Sequence, residues 1–234
     1  ASKEANKRAA LVDRLLDSPE YAEYFANKWS ALLRNQRTQP TFARGSYLFY
    51  SWIRDSIADN KPYDQFVREV VSASGDLDQN PPVAWYRQVK EMKQQMEDVA
   101  QLFLGTRMQC AQCHDHPYDR WKREEFHELA AFFPRIGVRP VRTATSRSFQ
   151  VVASDRQFRF AKEDDGNRPM PEHFMPDLED PSAPGTQMQP KFFLTTAKLP
   201  YGTVDSQRRE MLAKYLTRNE WFAVAAVNRL WSEL

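Results

Sequence analysis

The run Cys110-Ala111-Gln112-Cys113-His114 constrains this chain more than any other stretch. It holds both of the chain's cysteines and one of its four histidines, and a second histidine follows in Asp115-His116-Pro117. Cys-x-x-Cys-His is the attachment signature of c-type haem. Positions three and four apart share a helical face, so Cys110 and Cys113 can reach the porphyrin edge while His114 reaches the iron. Pro117 disfavours helix at His116, which places the motif in a short turn after Gly105. The same residues admit other chemistries. A redox disulfide would sit in a βαβ pattern, which the sequence lacks. A structural metal such as zinc could use Cys110, Cys113 and His114 or His116, with His127 as a fourth ligand, although the regular spacing of a second ligand pair is missing. Two buried structural cysteines are the plainest alternative.

The rest of the chain can build a core to hold such a site. Its 234 residues suit one large or two small domains. Aromatic residues make up 13% of them, which argues against disorder. Mean hydropathy is −0.71, and no run approaches the roughly 18 apolar residues of a spanning helix, so no transmembrane segment is expected. A net charge of +2 gives no global case for nucleic acid as a partner. Ala1 opens a polar, charged stretch, so any export leader is expected to have been removed or to lie outside the chain.

Apolar periodicity predicts a mainly α fold, an irregular helical bundle around the CxxCH site with a small β-hairpin and a long Pro-rich loop. Residues 1–17 read as an amphipathic helix with Leu11, Val12, Leu15 and Leu16 as its stripe. Ser18-Pro19 restarts a helix to about Arg34. Further helices are expected over 46–58, 63–72, 88–108 and 122–132. Phe149 to Phe160 alternates through Phe149, Val151, Phe158 and Phe160 and turns at Ser154-Asp155, a hairpin signal. Residues 162–190 are rich in Pro and acids and read as an irregular loop, followed by a short strand over 191–194. Helices are expected over 205–217 and 219–234. The second is apolar on most sides and calls for a packing partner. The division that follows is a helical unit over 1–135, an irregular segment over 136–204, and the opening helices of a C-terminal unit over 205–234.

Three stretches carry a family resemblance: LVDRLLDSPEYAEYFANKW with DSIADNKPYDQFVREVVSASGD, DVAQLFLGTRMQCAQCHDHPYDRWKREEFHELAAFF, and RREMLAKYLTRNEWFAVAAVNRLWSEL. With these, the chain resembles the planctomycete-type cytochrome c-like proteins, which pair two domains of unknown function. The resemblance implies an exported bacterial protein with a haem-attachment motif and a second domain that begins near 205. It implies no particular reaction. His127 departs from it, standing where the family usually has an aromatic residue.

On the haem reading, Cys110 and Cys113 are the thioether anchors of one covalent haem c and His114 is the proximal iron ligand. His116 lies too close to His114 to cross to the opposite face and suits a hydrogen bond to a propionate or the backbone, or a plain surface turn. Tyr118 and Trp121 are placed to pack on the porphyrin. The distal ligand is open among His173, Met170, Met175, His127 or none, with Met108 read as core. A sixth ligand makes an electron carrier in the periplasm that serves a redox partner protein or domain. An open position instead suits a haem- or metal-dependent oxidoreductase acting on a small anionic or carbohydrate substrate. Arg135, Arg139, Arg142 and Arg147, in a stretch without acids, could face propionates or an anionic substrate, or form a solvated basic face. Asp164-Asp165-Gly166-Asn167 offers oxygens to calcium without matching a full EF-hand loop.

Overall fold

The computed structural model describes residues 6–142, 147–153, 155 and 171–232. The expected hairpin half with Phe158 and Phe160, the Asp164–Asn167 run and Met170 lie outside them. The fold is mainly helical, and its elements follow the apolar periodicity closely. Helix α1 covers Lys7–Leu16, α2 Pro19–Leu32, α3 Ala43–Ala58, α4 Tyr63–Val71, α5 Ala84–Gln88, α6 Met92–Leu104, α7 Arg123–Ala130, α8 Asp205–Arg218 and α9 Glu220–Trp231. The helix expected over 88–108 is the shorter α6, and α5 ends before it at Gln88, where Val89 leaves the helical region at φ −108° and ψ 82°. Pro19 stands at the start of α2 behind Ser18, as read, though the Ser18 hydroxyl makes no capping bond. Among the described residues no helix is long and apolar enough to cross a membrane.

The small sheet differs from the expected hairpin. Its strands are β1 (Gly75–Asp76), β2 (Ile136–Arg142) and β3 (Arg147–Ala153), in the antiparallel order β1-β3-β2. Strand β3 pairs backwards in sequence, with Pro140 opposite Phe149, and the turn expected at Ser154-Asp155 runs through Ser154, which lies outside the described residues. Pro140 masks the strand character of 136–142 in the sequence. It is tolerated because β2 lies at the sheet edge, where a missing N–H costs no ladder bond. A second hairpin, β4 (Phe174–Met175) with β5 (Thr186–Gln187), interrupts the stretch read as irregular. The strand expected over 191–194 is instead a turn with an isolated bridge between Lys191 and Lys198, and it buries Phe192 and Phe193.

One hydrophobic cluster runs from Ala26 to Phe222, so the divisions at 135 and 204 are not marked by separate cores. Helices α8 and α9 contribute Leu212, Ala213, Leu216 and Phe222 to it. Helix α9 buries only Phe222 and Ala225, leaving Val224, Val227, Leu230 and Trp231 exposed. Helix α1 buries nothing, and its Leu11, Val12, Leu15 and Leu16 stripe is exposed.

Charge is buried where α8 meets the rest. Glu172 accepts from Arg208 Nη2 with both oxygens, at 2.9 and 2.8 Å, and from Arg135 Nη2 at 2.5 Å. Arg135, read as part of a basic surface, is fully buried and also reaches Asp155 at 3.2 Å. Arg208 donates to the carbonyls of Thr203 and Ala131, and burial lowers its pKa against the pull of Glu172. Beside it, Arg209 pairs with buried Asp205 at 2.6 Å and donates to the Ala73 carbonyl. Removing one member of such a set leaves buried charge uncompensated, at a cost of about 3–5 kcal/mol. Glu172→Gln is expected to lower unfolding free energy by that amount in a urea titration followed by far-UV circular dichroism. A change under about 1 kcal/mol would show that the two guanidiniums do not depend on Glu172.

Candidate functional site

Helix α6 delivers the chain to the motif and stops at Gly105, whose left-handed φ of 67° suits glycine, with Thr106 N donating back to Ala100 O at 3.1 Å. A 3-10 turn, Gln109–Gln112, follows. Buried Met108 and Ala111 seat it, joined by a 2.8 Å bond from Ala111 N to Met108 O. That seating turns the Cys110 and Cys113 thiols outward, exposed and unbonded to each other. His114 is exposed as well, and its Nδ1 lies 2.6 Å from the Asp115 carbonyl oxygen. A carbonyl only accepts, so Nδ1 carries the proton. That leaves Nε2 as the ring nitrogen available to a ligand.

Asp115 ties this loop to α7. Its carboxylate accepts from Arg123 N at 3.0 Å and from Lys122 Nζ at 2.8 Å, and these bonds, Lys122 first, hold it below the usual carboxylate range. His116 stays in the turn: its N donates to Trp121 O at 2.8 Å and its Nδ1 accepts from Tyr118 N at 3.3 Å. Tyr118 is 94% exposed, whereas Trp121 is 2% exposed. The Trp121 ring meets Phe193 at 5.1 Å and Trp221 at 5.8 Å, both edge-on, so it anchors the loop to the core and to α9.

Sequence reasoning missed how two further histidines reach the motif. His127, on the inner face of α7, has its Nε2 3.1 Å from the carbonyl of Gln112, between the two cysteines. Its Nδ1 is 2.7 Å from His173 Nε2, and the rings stack at 5.0 Å. The Gln112 carbonyl fixes the order: His127 donates through Nε2, so its Nδ1 accepts, and His173 donates through Nε2. His173 therefore spends its Nε2 on His127. Met175, half-buried in β4, follows two residues later, and Met108 is core. The residues gave one signal for the pair: His127 lies beside Phe126 on the apolar face of α7, where an imidazole needs a polar partner.

Among the described residues, no three His, Cys, Asp or Glu side chains assemble to hold a metal ion. His127, considered as a fourth zinc ligand, is bonded through both nitrogens. Covalent haem does not require the thiols to converge, since each bonds a separate edge position. The two outward thiols and the free Nε2 of His114 fit that group.

The comparisons with known proteins bear on the same segment. The model of the PSCyt2 family, a protein of unknown function (DUF1549), matches residues 1–137. This chain belongs to that family. The PSCyt2 match takes in α1 to α7 and the whole CxxCH turn, and it ends at the start of β2. No curated protein and no solved structure matches the chain.

Burial pushes the pKa of both His127 and His173 down to about 4, with the Gln112 carbonyl opposing the shift at His127 and the neighbouring His127 adding to it at His173. A histidine whose folded pKa lies below its unfolded value near 6.5 takes up its proton more readily when unfolded. Stability is therefore full above about pH 6.5 and is lost as pH falls toward about 4. Urea unfolding of the wild type is expected to lose a few kcal/mol across that window. His173→Gln should flatten the part between about pH 6.5 and 5, and an unchanged slope would refute the neutral pair.

Proposed function

We propose that this chain is a mono-haem c-type cytochrome domain that passes electrons to or from a partner protein or domain outside the cytoplasm. The observation that carries the reading is His114. Its Nδ1–H is held by the Asp115 carbonyl, and its Nε2 is open on the same turn as two exposed thiols. Cys110 and Cys113 would hold the porphyrin through thioether bonds, and His114 Nε2 would ligate the iron. Bound there, the haem supplies one-electron chemistry. The protein's part is to hold the ligand ring at a fixed angle, and the hydrogen bond from Nδ1–H also makes the imidazole a stronger donor to the metal. Asp115, clamped by Lys122 and Arg123, keeps that carbonyl in place. His127 steadies the turn from beneath through Gln112. The exposed thiols support a haem edge near the surface, which suits exchange with a docked partner.

His173 is left out of the ligand set because its Nε2 already donates to His127. Export with haem-maturation machinery should give protein with a Soret band and a haem-staining band that survives denaturing electrophoresis. The double variant Cys110→Ala, Cys113→Ala should lose the covalent band, and His173→Gln should leave the visible spectrum unchanged. Protein matured in this way without any Soret band would refute the proposal. A spectrum that changes spin state in His173→Gln would put that residue back on the iron.

A further inference from the structure

A cavity of about 490 Å³ opens where β2 and β3 meet the start of α3 and the end of α5. Its lining includes Pro40, Arg44, Arg87, Pro140, Arg142 and Ser148 and none of the CxxCH residues. Three guanidiniums on one cavity are an unusual concentration of positive charge for a chain whose net charge is only +2.

Their partners are unequal. Arg44 is satisfied by Asp78, which accepts from Nε at 3.0 Å and Nη2 at 2.7 Å through one oxygen. Arg87 lies between two rings, 4.3 Å from the centroid of Phe42 and 4.6 Å from that of Phe149. Phe149 comes this close to α3 because residue 45 is glycine, where a Cβ would lie 3.2 Å from the ring. Among the described residues no carboxylate pairs with Arg87 or with Arg142. Burial lowers the pKa of Arg87, and no acid offsets it. Ser148 is buried, and its hydroxyl has no hydrogen-bond partner. A hydroxyl left unbonded inside a protein is costly, and the residue that carries it also lines the cavity.

We propose that this cavity binds a small oxyanion, a sulfate, phosphate or carboxylate group carried on a compact organic body. Arg87 and Arg142 supply the two uncompensated charges, and the fork geometry of a guanidinium matches paired oxygens of such a group. The Phe42 and Phe149 rings fix Arg87 in place, so little side-chain freedom is lost on binding. The apolar surfaces of Pro40 and Pro140 face the ligand body, and the volume falls within the range of small-molecule sites. The inference is independent of the haem reading.

The test is a titration of nitrogen-15-labelled protein with sodium sulfate, sodium phosphate and sodium acetate in separate arms, at constant ionic strength held by sodium chloride. At least one arm should give saturable shifts of the Val141 and Ser148 amides. Saturation by sulfate or phosphate alone assigns a tetrahedral group, and saturation by acetate alone assigns a carboxylate. Arg142→Gln, an exposed change that should keep the wild-type Tm, is expected to weaken binding about tenfold. Arg87→Gln should weaken it at least as much, and its amide spectrum reports whether Phe42 and Phe149 stay in place. No saturable shifts of these amides in any arm, or an affinity unchanged in Arg142→Gln, would overturn the proposal.

Discussion

The fold depends on a carboxylate that two arginines share. Glu172 lies in the chain between the sheet and the second hairpin, and it meets Arg135 from the end of the family-matched segment and Arg208 from α8. With Asp155 against Arg135 and Asp205 against Arg209, three cations meet three anions, and all three cations are fully or almost fully buried. Each guanidinium also donates to main-chain carbonyls, so the cost of removing it from water is met by several bonds at once. These charges fix the registration of α8 on the rest of the chain, because a shift of one turn would strand all of them.

Much of this architecture was legible in the sequence because helices announce themselves through spacing. Phe66, Val67, Val70 and Val71 point inward on α4 as their periodicity requires. Gly105 closes α6 as a glycine after an apolar run should. The sheet was less legible. Its strands pair across a proline and among arginines, and their partner is settled by tertiary packing of Phe149 and Val151. Arg135 shows the same limit from the other side. An arginine in an acid-free stretch looks like surface until the fold brings Glu172 to it from 37 residues away.

The candidate site was legible in its chemistry and not in its support. Five consecutive residues place two thiols and an imidazole together, since the motif is defined by local spacing. What holds them comes from farther off. His127 is 15 residues beyond Gln112 in the chain, and His173 is 46 beyond His127. Trp121, close to the motif in sequence, turns toward Phe193 and Trp221. No periodicity encodes such meetings. They follow from where α7 is packed and from which hydrogen bonds a buried imidazole can make.

Besides the buried charges around α8, the last helices hold on to elements from early in the chain. Arg68 Nε donates to Thr217 Oγ1 at 2.8 Å, Arg229 Nη2 to Leu102 O at 2.6 Å, and Tyr63 stacks on Phe222 at 4.8 Å. Trp121 joins them through Trp221. On a ribosome α8 and α9 follow α2 to α7, so the residues they cover are made first. Until then Phe66, Val99 and Phe126 belong to a core whose lid does not yet exist, and the Leu102 carbonyl waits for its arginine. The CxxCH turn is encoded in the middle of the chain, but Trp121, which anchors its loop, meets its α9 partner only when Trp221 arrives. Synthesis therefore presents the two thiols on a half-built surface, and Trp121 gains Trp221 only about a hundred residues later.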